Sequence, residues 1–192
     1  MKYVLLLTAL AATFSGYTQT SKEEDSKSEQ AQIEKIMQSL PPCPKPTDAK
    51  MEGVCTSIDK RDFKFAEQLE EMACVDRKTD NALVVKAKVQ RLWNTYYSAF
   101  YCDATGFSVE NGNITKYSVF KNFPSFIDYV VKHYGLNINK PDVADGKTLL
   151  DYVQDEIRRM EGLSGQAQKV TELRNVYRHL KNDLGARHAA EL

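Results

Sequence analysis

The chain contains 192 residues, with 26 basic and 26 acidic side chains, so its formal net charge is zero. This length suits one domain or two at most, and 42% hydrophobic with 27% charged residues is a globular and not a disordered composition. The balanced charge argues against nucleic-acid binding, because recognition of a phosphate backbone needs clustered positive charge.

The first segment predicts export. Two residues, Met1-Lys2, form a short basic start, and an apolar run follows over 4–12. Gly16 and Thr18 stand at −3 and −1 from a cleavage site before Gln19, so residues 1–18 are predicted to be a signal peptide. A buried N-terminal strand or helix is the alternative. The run is shorter than the about 20 residues of a membrane-spanning helix, so we expect no stable membrane insertion after cleavage. The segment resembles bacterial export signals, which implies a periplasmic or secreted bacterial protein.

The next segment changes from polar to apolar and then to proline-rich. Residues 19–32 are Ser, Glu, Lys and Gln with hardly any apolar side chain, which predicts a flexible polar leader. Apolar residues at helical spacing from Ile33 to residue 40 predict a short helix that ends before Pro41-Pro42. The stretch 41–58 holds four Pro and two Cys and is predicted to be a loop.

From Asp62 onward the hydrophobic pattern is helical. No run shows the two-residue alternation of a strand, and Gly135 and Gly185 stand where a glycine ends a helix. The sequence therefore predicts one all-α domain over 33–192, with a Cys-bearing part (33–102) and a repeat-like part (103–185). The apolar stripes cover 65–73, 85–100, 119–123, 126–134, 149–160 and 170–184.

An internal period is the most informative pattern. Gly112-Asn113-Ile114 and Gly146-Lys147-Thr148 lie 34 residues apart, and each follows a polar turn and opens a helix. Before the second of these, a helix ends at Gly135 and an Asn-bearing stretch leads to the turn Asp145-Gly146, then to Thr148-Leu149-Leu150. The residues 126–153 resemble the ankyrin repeat, in which a helix ends at Gly and the next begins with Thr-Pro-Leu.

The resemblance implies a fold and a mode of action. The fold is a short stack of antiparallel helix pairs joined by extended hairpin loops, an ankyrin-like solenoid, and the alternative is a generic helical bundle. This sequence departs from the family at Leu149, where Pro is usual, and at Tyr152, where Ala is usual. Repeat stacks present their hairpins and a helix face to a partner protein and carry no built-in active site.

Four cysteines, Cys43, Cys55, Cys74 and Cys102, are expected to form disulfides in an exported protein, and three pairings exist. Zinc is not expected, since no CxxC pair and no nearby His occur. Within the ankyrin-like frame, a helix of about 20 residues, about 30 Å long, would separate Cys74 from Cys102, which is too far for a bond. Cys55 would then pair with Cys102 and Cys43 with Cys74, and Cys43–Cys55 stays open as the local alternative.

Little in the sequence indicates catalysis. No nucleotide-binding or hydrolase motif occurs, and His133, His179 and His188 are expected at the surface because none has a converging partner in the sequence. We therefore expect no catalytic residue, no metal and no cofactor. Among the aromatic residues, Tyr97, Tyr101 and Tyr117 lie off the tightest stripes, so they are either exposed binding residues or half-buried structural ones.

The sequence thus predicts an exported, non-catalytic protein-binding module, and one specific version is an immunity-type inhibitor of a periplasmic toxin. A secreted effector or adaptor that binds host proteins is one alternative. Another is an enzyme of unrecognised type that uses the acidic residues between Glu67 and Asp76. The predicted partner-binding residues lie in the hairpin region and on the adjacent helix: Asn111, Asn113, Lys116, Tyr117, Lys121, Asn139, Lys140, Asp142 and Lys147.

Overall fold

The computed structural model describes residues 27–108, 110 and 112–192. The predicted signal peptide and the first part of the leader lie outside the described residues. The chain divides after Leu40 into two compact units, and in the first of them residues 27–39 form helix α1. The end of the predicted flexible leader is therefore helical, because Glu, Gln, Lys and Ala favour helix and Gln30 bonds to Glu34 one turn later (3.3 Å).

In the second unit, Pro41–Leu192, the described elements of regular secondary structure are helices, which confirms the all-α class. The one strand-like pairing described there is an isolated bridge between Ala104 and Phe107. Two short 3-10 turns cover Tyr97–Ala99 and Ala189–Glu191. The helices are α2 (Asp48–Lys60), α3 (Lys64–Met72), α4 (Ala82–Tyr96), α5 (Ile114–Phe120), α6 (Ser125–Tyr134), α7 (Leu149–Glu161) and α8 (Ala167–Asn182).

Helix α2 shows that the predicted loop over 41–58 was wrong for most of its length. All four prolines precede Thr47, whose hydroxyl caps the helix by accepting a hydrogen bond from the Lys50 N–H (3.4 Å). Met51, Val54 and Ile58 then recur at spacings of three and four, and all three are buried. Only the proline-rich beginning of the segment is a loop.

The second unit has one continuous hydrophobic core, which runs from Met51 to Ala186. Helix α2 packs on α3 and α3 on α4, α4 contacts α6, and α5 contacts both α6 and α7, which pairs with α8. The largest buried side chains include Trp93, Phe65 and Phe126. Burial of such a side chain stabilises the fold by roughly 1.5–3 kcal/mol each.

Two helix ends follow the prediction. Gly135 ends α6 in the left-handed conformation (φ 68°), and its N–H donates to the Val131 carbonyl (2.9 Å). Thr148 begins α7 with a reciprocal capping box, in which its hydroxyl accepts from the Asp151 N–H (3.3 Å) and Asp151 accepts from the Thr148 N–H (3.0 Å).

The disulfides pair Cys43 with Cys74 and Cys55 with Cys102, with Cα–Cα distances of 6.0 and 5.7 Å. This confirms the pairing expected from the ankyrin-like frame, and the local alternative Cys43–Cys55 is wrong. Disulfides persist in oxidising, extracytoplasmic compartments, and the two bonds indicate that this chain folds in one. Among the described residues, every helix is too short or too polar to span a bilayer.

Candidate functional site

Four of the predicted partner-binding residues are inside the protein. The exposed fraction is 4% for Asn113, 1% for Lys116, 1% for Tyr117 and 7% for Asp142. The expectation that they form an accessible surface is therefore corrected, because a buried side chain cannot contact a partner without local opening. The predicted residue Asn111 lies outside the described residues.

Lys116 is the centre of this buried polar group. Its Nζ lies 2.7 Å from Asp145 Oδ1 and 3.5 Å from Asp142 Oδ2, and the same Asp142 oxygen accepts a hydrogen bond from the Asn113 N–H (2.6 Å). A buried ammonium is tolerated only when carboxylates and hydrogen bonds replace its water. The three side chains therefore fasten α5 to the hairpin, the segment 136–148 that connects α6 to α7.

Tyr97 continues the buried group toward α4. The Asn113 side-chain amide donates to the Tyr97 hydroxyl, and the O–H of Tyr97 donates to the Lys140 carbonyl (2.8 Å). Burial, together with Asp142, raises the pKa of Tyr97, so the hydroxyl remains a neutral donor. The Lys140 ammonium lies 4.7 Å from the centre of the Tyr97 ring. Of the three off-stripe tyrosines, Tyr97 and Tyr117 are buried and Tyr101 is exposed.

Tyr117 fastens the other side of α5 to α2. Its hydroxyl donates to Asp59 Oδ1 (2.6 Å), and the Lys121 ammonium lies 3.0 Å from the same oxygen. Burial raises the pKa of Tyr117, and the hydrogen bond to Asp59 raises it further. Lys121 also lies 5.2 Å from the centre of the Tyr117 ring. Lys121 itself is half-buried.

The turn of the hairpin is closed by its own hydrogen bonds. The Asp142 N–H donates to the Lys147 carbonyl (2.9 Å), and the Gly146 N–H donates back to the Asp142 carbonyl (2.8 Å). The Asp142 side chain accepts from the Ala144 N–H (3.1 Å). The side chain of Val143 projects from this closed turn and is 74% exposed. The hairpin is thus a fixed turn with an apolar tip.

The other predicted residues of this region stay at least partly accessible. Lys147 is exposed and pairs with Asp155 on α7 (2.6 Å). Asn139 accepts a hydrogen bond from the Arg187 N–H (2.7 Å) and donates to the Gly185 carbonyl (3.1 Å). Asn139 therefore joins the hairpin to the segment that follows α8. We call Lys140, Pro141, Val143 and Lys147 the hairpin surface.

His179 and His188 form hydrogen bonds that link neighbouring helices, and His133 lies at the surface. His179 on α8 lies between Asp183 (Nδ1 to Oδ2, 2.6 Å) and Asp128 on α6 (Nε2 to Oδ1, 2.8 Å). The hydrogen bond to Asp183 and then that to Asp128 raise the pKa of His179. His133 is exposed and stacks on Tyr129 with a distance of 4.7 Å between ring centres.

His188 fastens the C-terminal segment. Its Nδ1 lies 2.6 Å from Asp151 Oδ1, and its Nε2 lies 2.8 Å from the Tyr177 hydroxyl. The other Asp151 oxygen accepts from the Ala189 N–H (2.9 Å) and from Thr148. Burial alone would raise the pKa of Asp151, but these hydrogen bonds outweigh it and lower the pKa to about 2. The group holds residues 188–191 against α7 and α8.

The three glutamates of the acidic stretch predicted as an alternative catalytic site form ion pairs with cations. Arg77 pairs with both Glu67 (3.3 Å) and Glu70 (2.8 Å), and Lys50 pairs with Glu71 (3.0 Å). Glu70 also accepts a hydrogen bond from the Tyr134 hydroxyl (2.9 Å). Within the described part of the chain, no three His, Cys, Asp or Glu side chains are grouped as metal ligands would be.

A second exposed feature was missed from the sequence. Residues 60–64, the α2–α3 corner, place Phe63 at the surface with 54% of its area exposed, and the adjacent Lys60, Arg61 and Lys64 are exposed as well. A usable signal was present: Phe63 stands two positions before Phe65, and residues two apart do not share a helix face. Comparison with family models, with curated proteins and with solved structures finds no match for this chain.

Proposed function

We propose that this chain is an exported protein that acts by binding another protein through the hairpin surface, without a catalytic centre. The observation that carries the proposal is the contrast between the fixed base of the hairpin and its exposed tip. Lys116 holds the base from inside the protein, while Val143 stays 74% exposed. A loop that is already ordered loses little conformational entropy on binding, so more of its contact energy becomes affinity.

We further propose that helices α5–α8 form an ankyrin-like stack. Supporting it, the two N-cap residues Asn113 and Thr148 lie 35 residues apart, which is close to the 33-residue ankyrin period. Helix α5 packs against α7, and α7 packs against α8. Helices of neighbouring ankyrin repeats would make contacts of this kind. Asn139 forms hydrogen bonds with Gly185 and Arg187, so the hairpin between α6 and α7 lies beside the segment that follows α8.

The compartment is proposed on two features. The disulfides favour an oxidising compartment, and the N-terminal sequence favours export to the periplasm or beyond it. An immunity-type protein that blocks a periplasmic toxin is the specific version we favour. Such a protein needs a rigid binding surface and a location outside the cytoplasm. A secreted effector needs the same surface, and the presence of the mature protein in the culture medium would distinguish it.

Site-specific photocrosslinking tests the proposal. One form of the mature protein carries a photocrosslinking amino acid in place of Val143, and the control form carries it in place of Leu163, which is also exposed (50%). Leu163 lies beyond the far end of α7, about 20 Å along the helix axis from the hairpin. Both forms are irradiated in the producing cells, and the adducts are identified by mass spectrometry.

The proposal predicts one dominant protein adduct from the Val143 position and none with that protein from the Leu163 position. A test of the partner's own activity with and without the mature protein then decides whether this chain is an inhibitor. Equal crosslinking to the same proteins from both positions, or no protein adduct from the Val143 position, would contradict the proposal.

A further inference from the structure

The α2–α3 corner carries an aromatic ring that the fold holds at the surface. The Phe63 ring lies 5.6 Å from the Phe65 ring, 5.9 Å from the Phe123 ring and 5.8 Å from the Tyr129 ring, measured between ring centres. Phe65 and Phe123 are buried. The exposed ring is therefore the outer member of an aromatic cluster that belongs to the core, and its position is fixed before any ligand arrives.

Phe63 forms one wall of a cleft of about 320 Å³. The opposite wall comes from α6 and presents Tyr129, Lys132 and His133. The cleft is open enough to admit one large apolar side chain from a partner, which would bury part of Phe63 and Tyr129. A few residues provide most of the binding energy in protein interfaces, and aromatic side chains are enriched there.

The α2–α3 corner beside this cleft has more basic than acidic side chains. Lys60 and Lys64 line a second hollow together with Glu52 and Asp62. Lys60, Arg61 and Lys64 are exposed, and within the described residues none of them forms an ion pair with a carboxylate. The Arg61 Nε donates to the Lys121 backbone carbonyl (3.2 Å), which leaves the other guanidinium donors available.

Two of the nearby acidic groups form ion pairs. Asp59 is bound by Lys121 (3.0 Å), and Asp128 is bound by Lys132 (2.7 Å) and by His179 (2.8 Å). Asp62 accepts a hydrogen bond from the Lys64 N–H at the start of α3 (3.0 Å). Glu52 and Asp62 form no ion pair among the described residues, so Lys60, Arg61 and Lys64 leave a small positive excess at the corner, although the chain as a whole has no net charge.

We infer that the α2–α3 corner binds an acidic segment of a partner protein, with one large apolar side chain in the Phe63–Tyr129 cleft and carboxylates on Lys60, Arg61 and Lys64. Arginine and lysine recognise carboxylates through charge-assisted hydrogen bonds, and complementary charge steers the encounter. An anionic lipid surface fits less well, because a single large apolar side chain is exposed here.

This inference rests on the proposal that the protein is a binding module, but it concerns another surface. The corner lies at the end of α5 where Arg61 contacts Lys121, whereas the hairpin is fastened at the other end through Asn113. The variant Val143→Glu therefore serves as a control, because it replaces the apolar side chain at the tip of the hairpin and leaves the α2–α3 corner unchanged.

Selection from a displayed library of random peptides tests the inference. The wild-type protein is the bait, and Phe63→Ser combined with Lys64→Glu is the counter-selection bait. Affinities of the selected peptides are then measured for Phe63→Ser, for the double variant Lys60→Glu/Lys64→Glu, and for the controls Leu163→Ser and Lys45→Glu/Lys78→Glu, which change exposed residues elsewhere. Vesicles containing phosphatidylglycerol are a parallel ligand.

We expect the selected peptides to combine an aromatic or large aliphatic residue with Asp or Glu. Binding should weaken at least about tenfold for Phe63→Ser and for the charge reversal, and it should be unchanged in the controls and in Val143→Glu. Failure of the selection to enrich acidic sequences over the counter-selection bait would overturn the inference. Binding to the vesicles without acidic peptide enrichment would overturn it in favour of a lipid surface.

Discussion

The side chain of Lys116 is only 1% exposed, and its ammonium lies 2.7 Å from the Asp145 carboxylate. This buried ion pair links helix α5 to the hairpin that precedes α7. With Asp142 as a second partner, Lys116 gives the hairpin its fixed position. This contact is the structural basis of the proposed binding surface.

Replacement of Lys116 is expected to destabilise the fold. In Lys116→Met the carboxylates of Asp142 and Asp145 lose their buried counter-charge, so we expect the free energy of unfolding to fall by roughly 3 kcal/mol. The measurement is urea unfolding followed by the fluorescence of Trp93, the single tryptophan, which is buried. In the control Lys147→Met an exposed ion pair is lost, and the change should stay below about 1 kcal/mol. Equal effects of the two substitutions would show that the buried group does not hold the hairpin.

His179 predicts a pH dependence of stability. Its hydrogen bonds to Asp183 and Asp128 raise its pKa, so the folded protein binds this proton more tightly than the unfolded chain does. The contribution is complete below the ordinary His pKa of about 6.5 and is lost as the pH rises through the raised pKa.

We therefore expect the stability advantage of wild type over His179→Gln to shrink above about pH 6.5. Thermal unfolding across the neutral range measures it. The matched control His133→Gln removes an exposed imidazole that takes no part in the hydrogen bonds of His179. If His179→Gln keeps the wild-type dependence of stability on pH, the hydrogen bond between His179 on α8 and Asp128 on α6 does not contribute to stability in solution.

Asp151 predicts the opposite behaviour in acid. Its pKa is lowered to about 2, whereas an unfolded Asp has a pKa of about 3.9. The ionised group therefore contributes about 2 to 3 kcal/mol of stability above about pH 4 and loses it as the pH falls through about 2. The stability deficit of Asp151→Asn should therefore be largest at neutral pH and should shrink in acid. Asp155→Asn, which removes an exposed carboxylate, is the comparison variant, and a deficit of the same size in both would contradict the assignment.

The two disulfides should differ in their resistance to reduction. Cys74 is exposed, whereas Cys102 is buried, and thiol exchange requires access to a sulfur atom. Limiting dithiothreitol followed by alkylation and peptide mass spectrometry should label Cys43 and Cys74 before Cys55 and Cys102. Labelling in the reverse order would show that the Cys55–Cys102 bond is the more accessible one.

Features that depend on local sequence were predictable. The caps at Gly135 and Thr148 follow from local turn chemistry and from the hydroxyl of Thr148. The ankyrin-like frame implied the observed disulfide pairing, whereas the cysteine positions alone left Cys43–Cys55 open. Helix α2 was missed because the prolines before Thr47 hid a regular apolar spacing that begins only at Met51.

The buried polar group was not predictable in the same way. Lys116 has the sequence context of a solvated lysine, and its partner Asp145 lies 29 residues away. Only the packing of α5 against the hairpin brings the two together. Tyr117 was placed at the surface for the same reason, since its partner Asp59 lies 58 residues earlier in the chain. Phe63, in contrast, could have been recognised as exposed from its position relative to Phe65.

The affinity of the captured partner for hairpin variants tests the central claim most directly. The mature wild-type protein, Val143→Glu and Leu163→Glu would be titrated against the purified partner by calorimetry. We expect Val143→Glu to weaken binding by about tenfold or more, since it places a charge at the centre of the interface, and Leu163→Glu to bind like wild type. Equal affinities of all three proteins would contradict the account of the hairpin as the binding surface.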